Sequence, residues 1–515
     1  IRKQVHIRII GDYDVDGVTS SHLFLTALRR VGAKVDVVIP HRIQDGYGLS
    51  LHLLQQAKED GVDTILTCDN GIAAIDEIAW AKAQKMTVLV TDHHAVPFEE
   101  HEGRRTEKKS LADAVVNPHQ QDCGYPYKEL CGAGVAWNVI RVLYENYDMD
   151  KREAEDLLDF VAMATVCDVM SLTGENRILV KEGLKRIRHT KNIGLQALMQ
   201  ACNVQPENIS AYHFGYVLGP CVNATGRLDT ARHALRLFET GQETEAEEIA
   251  RDLVDLNQER KELTLQGVEM AKKLCEEGGY EKDPVLVLFL PDVHESIAGL
   301  IAGRIREMYN RPVFVLTRGE EGVKGSGRST ENYSMYENMC GCAELFTKFG
   351  GHPMAAGLSL PEENVEKFRR KINENCPLTV EEVCPDIHID MAMPVGYAST
   401  ELVHQFALLE PFGKDNPSPL FADRNLSISR MWLIGKNRNV LRMSVLSEYG
   451  QPVPVIFFGD VETLFAYFTE KFGQEEVENA LHGRKNRILF SMVYTAKIDF
   501  YQGNENLQLE MKYYR

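Results

Sequence analysis

The sequence predicts an α/β architecture: an open parallel sheet, a helical connector, a smaller α/β unit and a closing all-β domain. Three patterns carry that expectation. Through about the first 120 residues, short apolar runs alternate with stretches whose apolar residues recur at helical spacing. From Gly241 to Gly279 one highly charged stretch keeps a helical period over many turns and stops at a glycine pair. Beyond Cys384 the runs become strand-like and are separated by short turns.

A chain of 515 residues exceeds what one core holds, so several domains are expected. The reading divides it at 1–181, 182–282, 283–383 and 384–515. With 44% hydrophobic and 26% charged residues the composition is that of a globular protein. No apolar run approaches the ~18 residues of a membrane span. The opening IRKQVHIRII leads straight into a strand without an initiator Met, reading as a chain trimmed before its first element, not as a signal peptide. Eleven cysteines without a CxxC pair read as reduced thiols, which implies a cytoplasmic location. A net charge of −18 disfavours a protein that coats nucleic acid by bulk attraction. It leaves room for an enzyme whose acidic site is neutralised by cations.

The runs VHIRII, AKVDVVIP, VDTILTCD, MTVLVTD and ADAVVN are apolar on both faces, as strands covered by helices on both sides must be. In such sheets function gathers beyond the carboxyl ends of the strands. There the sequence places Asp12, Asp14 and Asp16 in GDYDVDG, Asp69 in DNGI, and Asp92, His93 and His94 in TDHH. A later apolar helix, DLLDFVAMATVCDVM, delivers Asp168 near its end. Any one Asp after a strand is more often a helix cap than a ligand. Four acid-bearing segments with a histidine pair are hard to obtain from capping alone. Alternate residues of an extended loop point the same way, so Asp14 and Asp16 suit two cations side by side. Glycines at Gly11, Gly17 and Gly71 let the backbone turn close to them. Carboxylates mixed with imidazole favour Mn2+ or Mg2+ over structural Zn2+.

GDYDVDG, DNGI, TDHH and VCDVM, in that order, resemble the four motifs of the DHH phosphoesterase family. The remainder is similar to that family's bacterial single-stranded-DNA exonucleases. The resemblance implies that Asp14 and Asp69 hold one cation, with Asp12 completing or supporting it. Asp16, Asp69, His93 and Asp168 hold the second, Asp69 bridging. It further implies that Asp92 orients a histidine and that His94 faces the scissile phosphate or a metal-bound water. Many relatives carry a histidine four residues before Asp14; here that place is Ile10, so one ligand is missing and weaker binding of the first cation is expected.

In the connector, LGPCVNATGRLD resembles the family's GPRxNAxGR, with Cys221 in place of the first arginine. Asn223 and Arg227 remain as nucleic-acid contacts, although for Arg227 a structural ion pair is an equal reading. DPVLVLFLPDVHESIAGLIAGRIREMYNRPVFVLT reads as a βαβ unit. VKGSGRST and FGGHPMAAGLSL read as glycine-rich turns whose N–H groups suit phosphate. Together these resemble the family's DHHA1 domain, which implies Ser326 and Arg328 on a 5′ terminal phosphate and His352 near the scissile bond. Arg42 would reach the same 5′ end.

PFGKDNPSPLF resembles the segment leading into an OB-fold-like domain, with Asp415 where the family carries Gly or a neutral residue. Lys436, Arg438 and Arg442 near Trp432, Phe457 and Phe458 suit stacking of unpaired bases, with a plain barrel core as the competing reading of each aromatic. The resemblance as a whole implies a 5′-to-3′ exonuclease that cuts single-stranded DNA to 5′-mononucleotides with two divalent cations, Mn2+ or Mg2+, in DNA repair and recombination. It implies a monomer away from membranes, acting on 5′-phosphorylated single strands alongside a single-stranded-DNA-binding protein and a RecQ-type helicase. The competing reading is a DHH phosphoesterase for short oligonucleotides or cyclic dinucleotides. A scaffold without catalysis is disfavoured, because every main ligand is present.

Overall fold

The first sheet is built from runs that bury both faces. β1 (His6–Ile10), β2 (Lys34–Val38), β3 (Thr64–Cys68) and β4 (Thr87–Thr91) are its longer strands. A hairpin of β5 (Phe98–His101) and β6 (Arg104–Glu107) follows, then β7 (Ala114–Val116). The sheet order is β2-β1-β3-β4-β7, with every pairing parallel. β3 is buried at all of its residues, which explains its uninterrupted apolar character. The computed structural model describes residues 1–41, 45, 48–101, 104–228, 230–319, 322–378, 387–435, 438–501 and 504–515. Arg42, Lys436 and the boundary residue Cys384 lie outside these described residues. The chain divides into two units, Ile1–Pro385 and Asp386–Arg515.

The helix Val15–Arg30, which follows β1, packs against Gly132–Asn146 and Leu158–Cys167. Phe24, Ile140, Phe160 and Val161 are buried between them, each worth about 1.5–3 kcal/mol by removal from water. Two titratable groups are enclosed with them. His22 lies 4.5 Å from the Phe160 ring, and burial pushes its imidazole down to about 3. Asp159 accepts a 2.6 Å hydrogen bond from Thr190 Oγ1, yet burial pushes its carboxyl up to about 6. A carboxyl raised in the native state holds its proton longer than in the unfolded chain, so stability falls as pH rises from about 4 through about 6. Asp159→Asn is expected to remove that loss, leaving the variant up to about 3 kcal/mol more stable relative to the parent at pH 8 than at pH 4. Urea unfolding at both pH values measures it; identical pH dependence in the two proteins would refute the assignment.

The charged stretch forms one helix, Glu243–Gly278, of 36 residues. It stops at Gly279, whose φ of 65° is the left-handed cap that a residue without Cβ adopts cheaply. Its first half buries Ala246, Ile249, Ala250 and Leu253 in the first core, and its second half buries Val268, Ala271 and Cys275 in another. One helix thereby serves two cores.

The second core takes residues from β8 (Leu286–Phe289) and β9 (Val313–Gly319), which form a sheet with β10 (Gly322–Arg328), β11 (Lys348–His352) and β12 (Ala355–Leu360), ordered β11-β12-β10-β9-β8. β8 and β9 are parallel and joined through helix Glu295–Tyr309, the expected βαβ unit. The expectation of glycine-rich turns is corrected here. GSGR runs within β10, paired on both sides by β9 and β12, and GGH lies in β11. Backbone groups used in these ladders do not form an anion-binding nest, so the segments offer side chains to a ligand instead.

The final unit contains β13 (Met391–Ala392), β14 (Phe421–Ile434), β15 (Val440–Leu446), β16 (Pro452–Phe457), β17 (Leu489–Tyr501) and β18 (Asn504–Tyr514). Their order is β13-β14-β15-β16-β18-β17, and an additional β14–β17 pairing closes the sheet into a barrel. The all-β expectation is also corrected, since Thr400–Phe406, Val461–Phe472 and Gln474–Leu481 are helices. Asp460 caps the second of these by accepting from the Thr463 N–H, and Val461, Leu464 and Phe468 fill the barrel's core at helical spacing. Phe457 is core, whereas Phe458 is 59% exposed. The Arg430 and Arg442 guanidinium groups stand 5.6 and 6.0 Å from the Trp432 ring. Arg438 has φ 52° and is exposed. Asp415 has φ 58°, a conformation natural to Gly that Asp tolerates better than most residues. Among the described residues no helix is long and apolar enough to cross a membrane.

Candidate metal centre

The acids converge at the carboxyl edge of the first sheet. Asp14 is the N-cap of Val15–Arg30 and accepts from the Gly17 N–H at 3.0 Å, so it has the cap role as well as a place in the acidic cluster. Asp16, on the first turn, accepts from the Gly132 and Ala133 N–H groups at 2.5 and 2.7 Å. Those amides open helix Gly132–Asn146, where the positive end of the helix dipole favours a carboxylate. Asp69 follows β3 with φ 60°. Asp168 ends Leu158–Cys167, and the next residue, Val169, has φ 55°. A β-branched residue in the left-handed region is strained, and such strain is held in place by the surrounding structure.

His93 sits among these carboxylates. Its Nε2 is 3.1 Å from Asp69 Oδ1 and 3.6 Å from both Asp16 Oδ2 and Asp168 Oδ2. Among the described residues, three groups have donor atoms mutually within 4.8 Å: Asp12, Asp14 and Asp69; Asp16, His93 and Asp168; and Asp69, His93 and His94. Asp69 belongs to the first and third, and its Oδ1 lies 3.1 Å from His93 Nε2 of the second, so it stands between the first two. Ile10 is buried in an apolar cluster with Leu54 and Ile65 and contributes no ligand atom.

The chemistry of the cage calls for cations. Among the described residues, Asp12 Oδ1 and His93 Nε2 are buried without a hydrogen-bond partner. Burial and neighbouring carboxylates push the carboxyls of Asp12, Asp14 and Asp69 above the usual range. Burial also lowers His93, keeping the imidazole neutral with a lone pair to give. A buried group of carboxylates with one neutral imidazole fits hard divalent cations.

Asp92 has a different task. Its Oδ1 accepts from the His93 and His94 N–H groups and from His94 Nδ1 at 2.8 Å, while Oδ2 accepts from the Ile72 N–H. Burial would raise this carboxyl, but the bonds to His94 and the backbone hold it below the usual range. In return, and against the opposing effect of burial, Asp92 lifts His94 to about 9. The Asp92 bond fixes that ring through Nδ1.

The structure adds Gly132, which the sequence reading did not single out. A Cβ there would lie 2.7 Å from Asp69 Cβ and 3.0 Å from Asp16 Oδ2. The signal in CGAGVAW was the run of small residues opening a helix. Asn223 Oδ1 accepts from the Val15 N–H at 3.1 Å, bracing the loop that carries the acids. Arg227 Nη1 donates to Ser296 O at 2.6 Å, bonding helix Gly219–Leu228 to Glu295–Tyr309.

Ser326 lines a pocket of about 400 Å3 together with Tyr13, Ser296, Lys324 and Lys348. Arg328 lies beside it: a Cβ on Gly299 would meet Arg328 Nη2 at 2.8 Å and Ser326 Oγ at 3.2 Å. His352 is exposed at the end of β11, outside the residues lining that pocket.

Known families account for this layout. The DHH family N-terminal domain matches residues 6–165, the DHHA1 domain 282–376 and the RecJ OB domain 389–513. A single-stranded-DNA-specific exonuclease RecJ of Haemophilus influenzae is 33% identical over 531 residues, covering 99% of this chain and 88% of the relative. The chain belongs to the RecJ family. A RecJ of Bacillus subtilis is 33% identical over 455 residues, and there the match spans 88% of this chain but only 56% of the relative. RecJ of Thermus thermophilus in complex with Mn2+ matches all of this chain and 69% of its own, with a TM-score of 0.79 at 26% identity. Its Mg2+ complex matches with a TM-score of 0.73 at 25% identity.

Proposed function

We propose that this chain hydrolyses single-stranded DNA from its 5′ end to 5′-mononucleotides, with two divalent cations, Mn2+ or Mg2+, in the acidic cage. The observation that carries the reading is the pair of donor groups Asp12–Asp14–Asp69 and Asp16–His93–Asp168 at a RecJ-type sheet edge, with Asp69 Oδ1 of the first 3.1 Å from His93 Nε2 of the second. Asp12, Asp14 and Asp69 would hold one cation, and Asp16, Asp69, His93 and Asp168 the other. Cations bound there supply Lewis acidity and a nucleophilic water at neutral pH.

The chain's own residues set the geometry. Asp16 is oriented by the helix amides, and Asp92 fixes His94 through Nδ1, so any contact of that ring with the scissile phosphate runs through Nε2. Ser326 and Arg328 would seat the 5′ terminal phosphate, Arg328 by its fork of donors, with Arg42 at the same end and His352 nearer the scissile bond. Asn223 and Arg227 would follow the strand from the connector, and the final barrel would carry unpaired bases beside Trp432, Arg438 and Arg442. The working division remains 1–181, 182–282, 283–383 and 384–515. Within the cell the reading places the protein in the cytoplasm as a monomer, in DNA repair and recombination, beside a single-stranded-DNA-binding protein and a RecQ-type helicase.

Digestion of 3′-labelled strands with a free 5′ phosphate or a 5′ hairpin tests the polarity. Cleavage should require the free end, and equal attack on both strands sinks the proposal. Arg328→Ala should raise KM about tenfold for 5′-phosphorylated strands, a loss of ~1.4 kcal/mol, and leave 5′-hydroxyl strands unaffected. Turnover of a dinucleotide as fast as of a long strand would favour the short-oligonucleotide phosphoesterase.

A further inference from the structure

Position 221 holds a thiol that the hydrolytic site does not use. Cys221 is 2% exposed on helix Gly219–Leu228, and its Sγ lies 3.8 Å from Sγ of Cys202, the C-cap residue of helix Ile193–Ala201. Cys202 is half-buried, the less enclosed residue of the pair. Donors and positive charge surround the pair. Asn257 Nδ2 donates to Cys221 Sγ at 3.3 Å, Arg260 Nη2 donates to Asn257 Oδ1 at 2.8 Å, and the positive charge of Lys261 acts on both thiols. Reactive cysteines are those in partly exposed, electropositive surroundings.

The two sulfurs are not equivalent. The Cys221 S–H can serve the Val217 carbonyl at 3.3 Å or the Cys202 sulfur, and ionisation of Cys202 draws it to the latter. That hydrogen bond lowers the Cys202 thiol and raises the Cys221 thiol. The less buried cysteine is therefore the nucleophile, and the buried one stays protonated until needed.

We propose that Cys202 and Cys221 form an oxidative modification site that a hydroperoxide closes to a disulfide. The Cys202 thiolate attacks a peroxide oxygen; the O–O bond breaks, leaving a sulfenic acid on Cys202 and releasing water after protonation, or an alcohol from an organic peroxide. Cys221 sulfur then attacks Cys202 sulfur; the S–S bond forms, the S–O bond breaks and a second water leaves. The two thiols supply the two electrons that reduce the peroxide. A dithiol reductant reverses the bond by exchange. Closure brings the sulfurs to about 2.05 Å, a movement for which Cys202 is suited because it stands at a helix end. The cross-link ties helix Ile193–Ala201 to the helix that carries Asn223 and Arg227, and it does not depend on the hydrolytic reading.

Peptide mapping of the full chain, reduced, desalted and treated with graded hydrogen peroxide, tests this. The expected product is a Cys202–Cys221 linked peptide pair, lighter by two hydrogens and restored by dithiothreitol. Cys221→Ser should trap the sulfenic acid on Cys202 as a dimedone adduct, while Cys202→Ser gives none on Cys221 at the same dose. The idea is overturned if the pair stays reduced at doses that oxidise the exposed Cys340, or if dimedone marks Cys221 first. Mapping the parent sequence keeps the answer independent of whether either serine variant folds.

Discussion

Asparagine at position 69 is expected to abolish hydrolysis and yet raise the melting temperature of the metal-free protein. Asp69 is 2% exposed and crowded by Asp12, Asp14, Asp16 and Asp168. Without cations its charge is pure cost, since buried like charges repel and burial penalises each of them. The amide removes one charge and keeps the shape, and Asn tolerates the φ of 60° at this position as well as Asp does. With cations present the balance reverses. The shared ligand is gone, and kcat should fall at least about a thousandfold, ~4 kcal/mol of barrier. Scanning calorimetry with chelator and then with Mn2+ separates the two effects. Mn2+ should raise the parent's melting temperature by mass action and barely move that of Asp69→Asn. An active variant, or a parent indifferent to Mn2+, would remove Asp69 from the centre of the site.

What the sequence made legible follows from where each signal is stored. Strands buried on both faces must be apolar throughout, so the parallel sheet was readable from its runs, and the acids at its carboxyl edge were readable because each stands directly after a run. Contacts between distant segments leave no such trace. The bond from Gly132 to Asp16 joins residues 116 apart, and that from Val15 to Asn223 joins residues 208 apart. Nothing in either local pattern announces them. The second α/β unit misled for another reason: glycines have little strand propensity and carry no alternation, so GSGR and GGH resemble turns although neighbouring strands hold them in a ladder. The helix Val461–Phe472 was hidden by its own composition, because aromatic and β-branched residues imitate a strand until the spacing of Val461, Leu464 and Phe468 is weighed.

A single methyl group at Gly132 should disable the site while sparing the fold. The added carbon would stand 2.7 Å from Asp69 Cβ and 2.9 Å from its Oδ1, closer than van der Waals contact allows. Neither neighbour can retreat cheaply. Asp69 is short and sits on a constrained backbone, and Asp16 is bonded to the amide of Gly132 itself. Relief requires the helix start to withdraw, which stretches the two hydrogen bonds that aim Asp16. Gly132→Ala should therefore lower kcat about a hundredfold, ~2.7 kcal/mol, and weaken Mn2+ binding at least about tenfold, ~1.4 kcal/mol. The fold should persist with a modest loss of stability, because alanine's helix preference offsets part of the clash. Gly134→Ala, two residues on in the same helix, is the matched control. Its Cβ would meet Leu130 Cδ2 at 3.3 Å, a flexible side-chain end that can give way, and activity should stay near that of the parent. Isothermal titration with Mn2+ and single-turnover hydrolysis distinguish the pair. Equal behaviour of the two variants would mean that the spacing between the Gly132 helix and the carboxylates does not govern the cage.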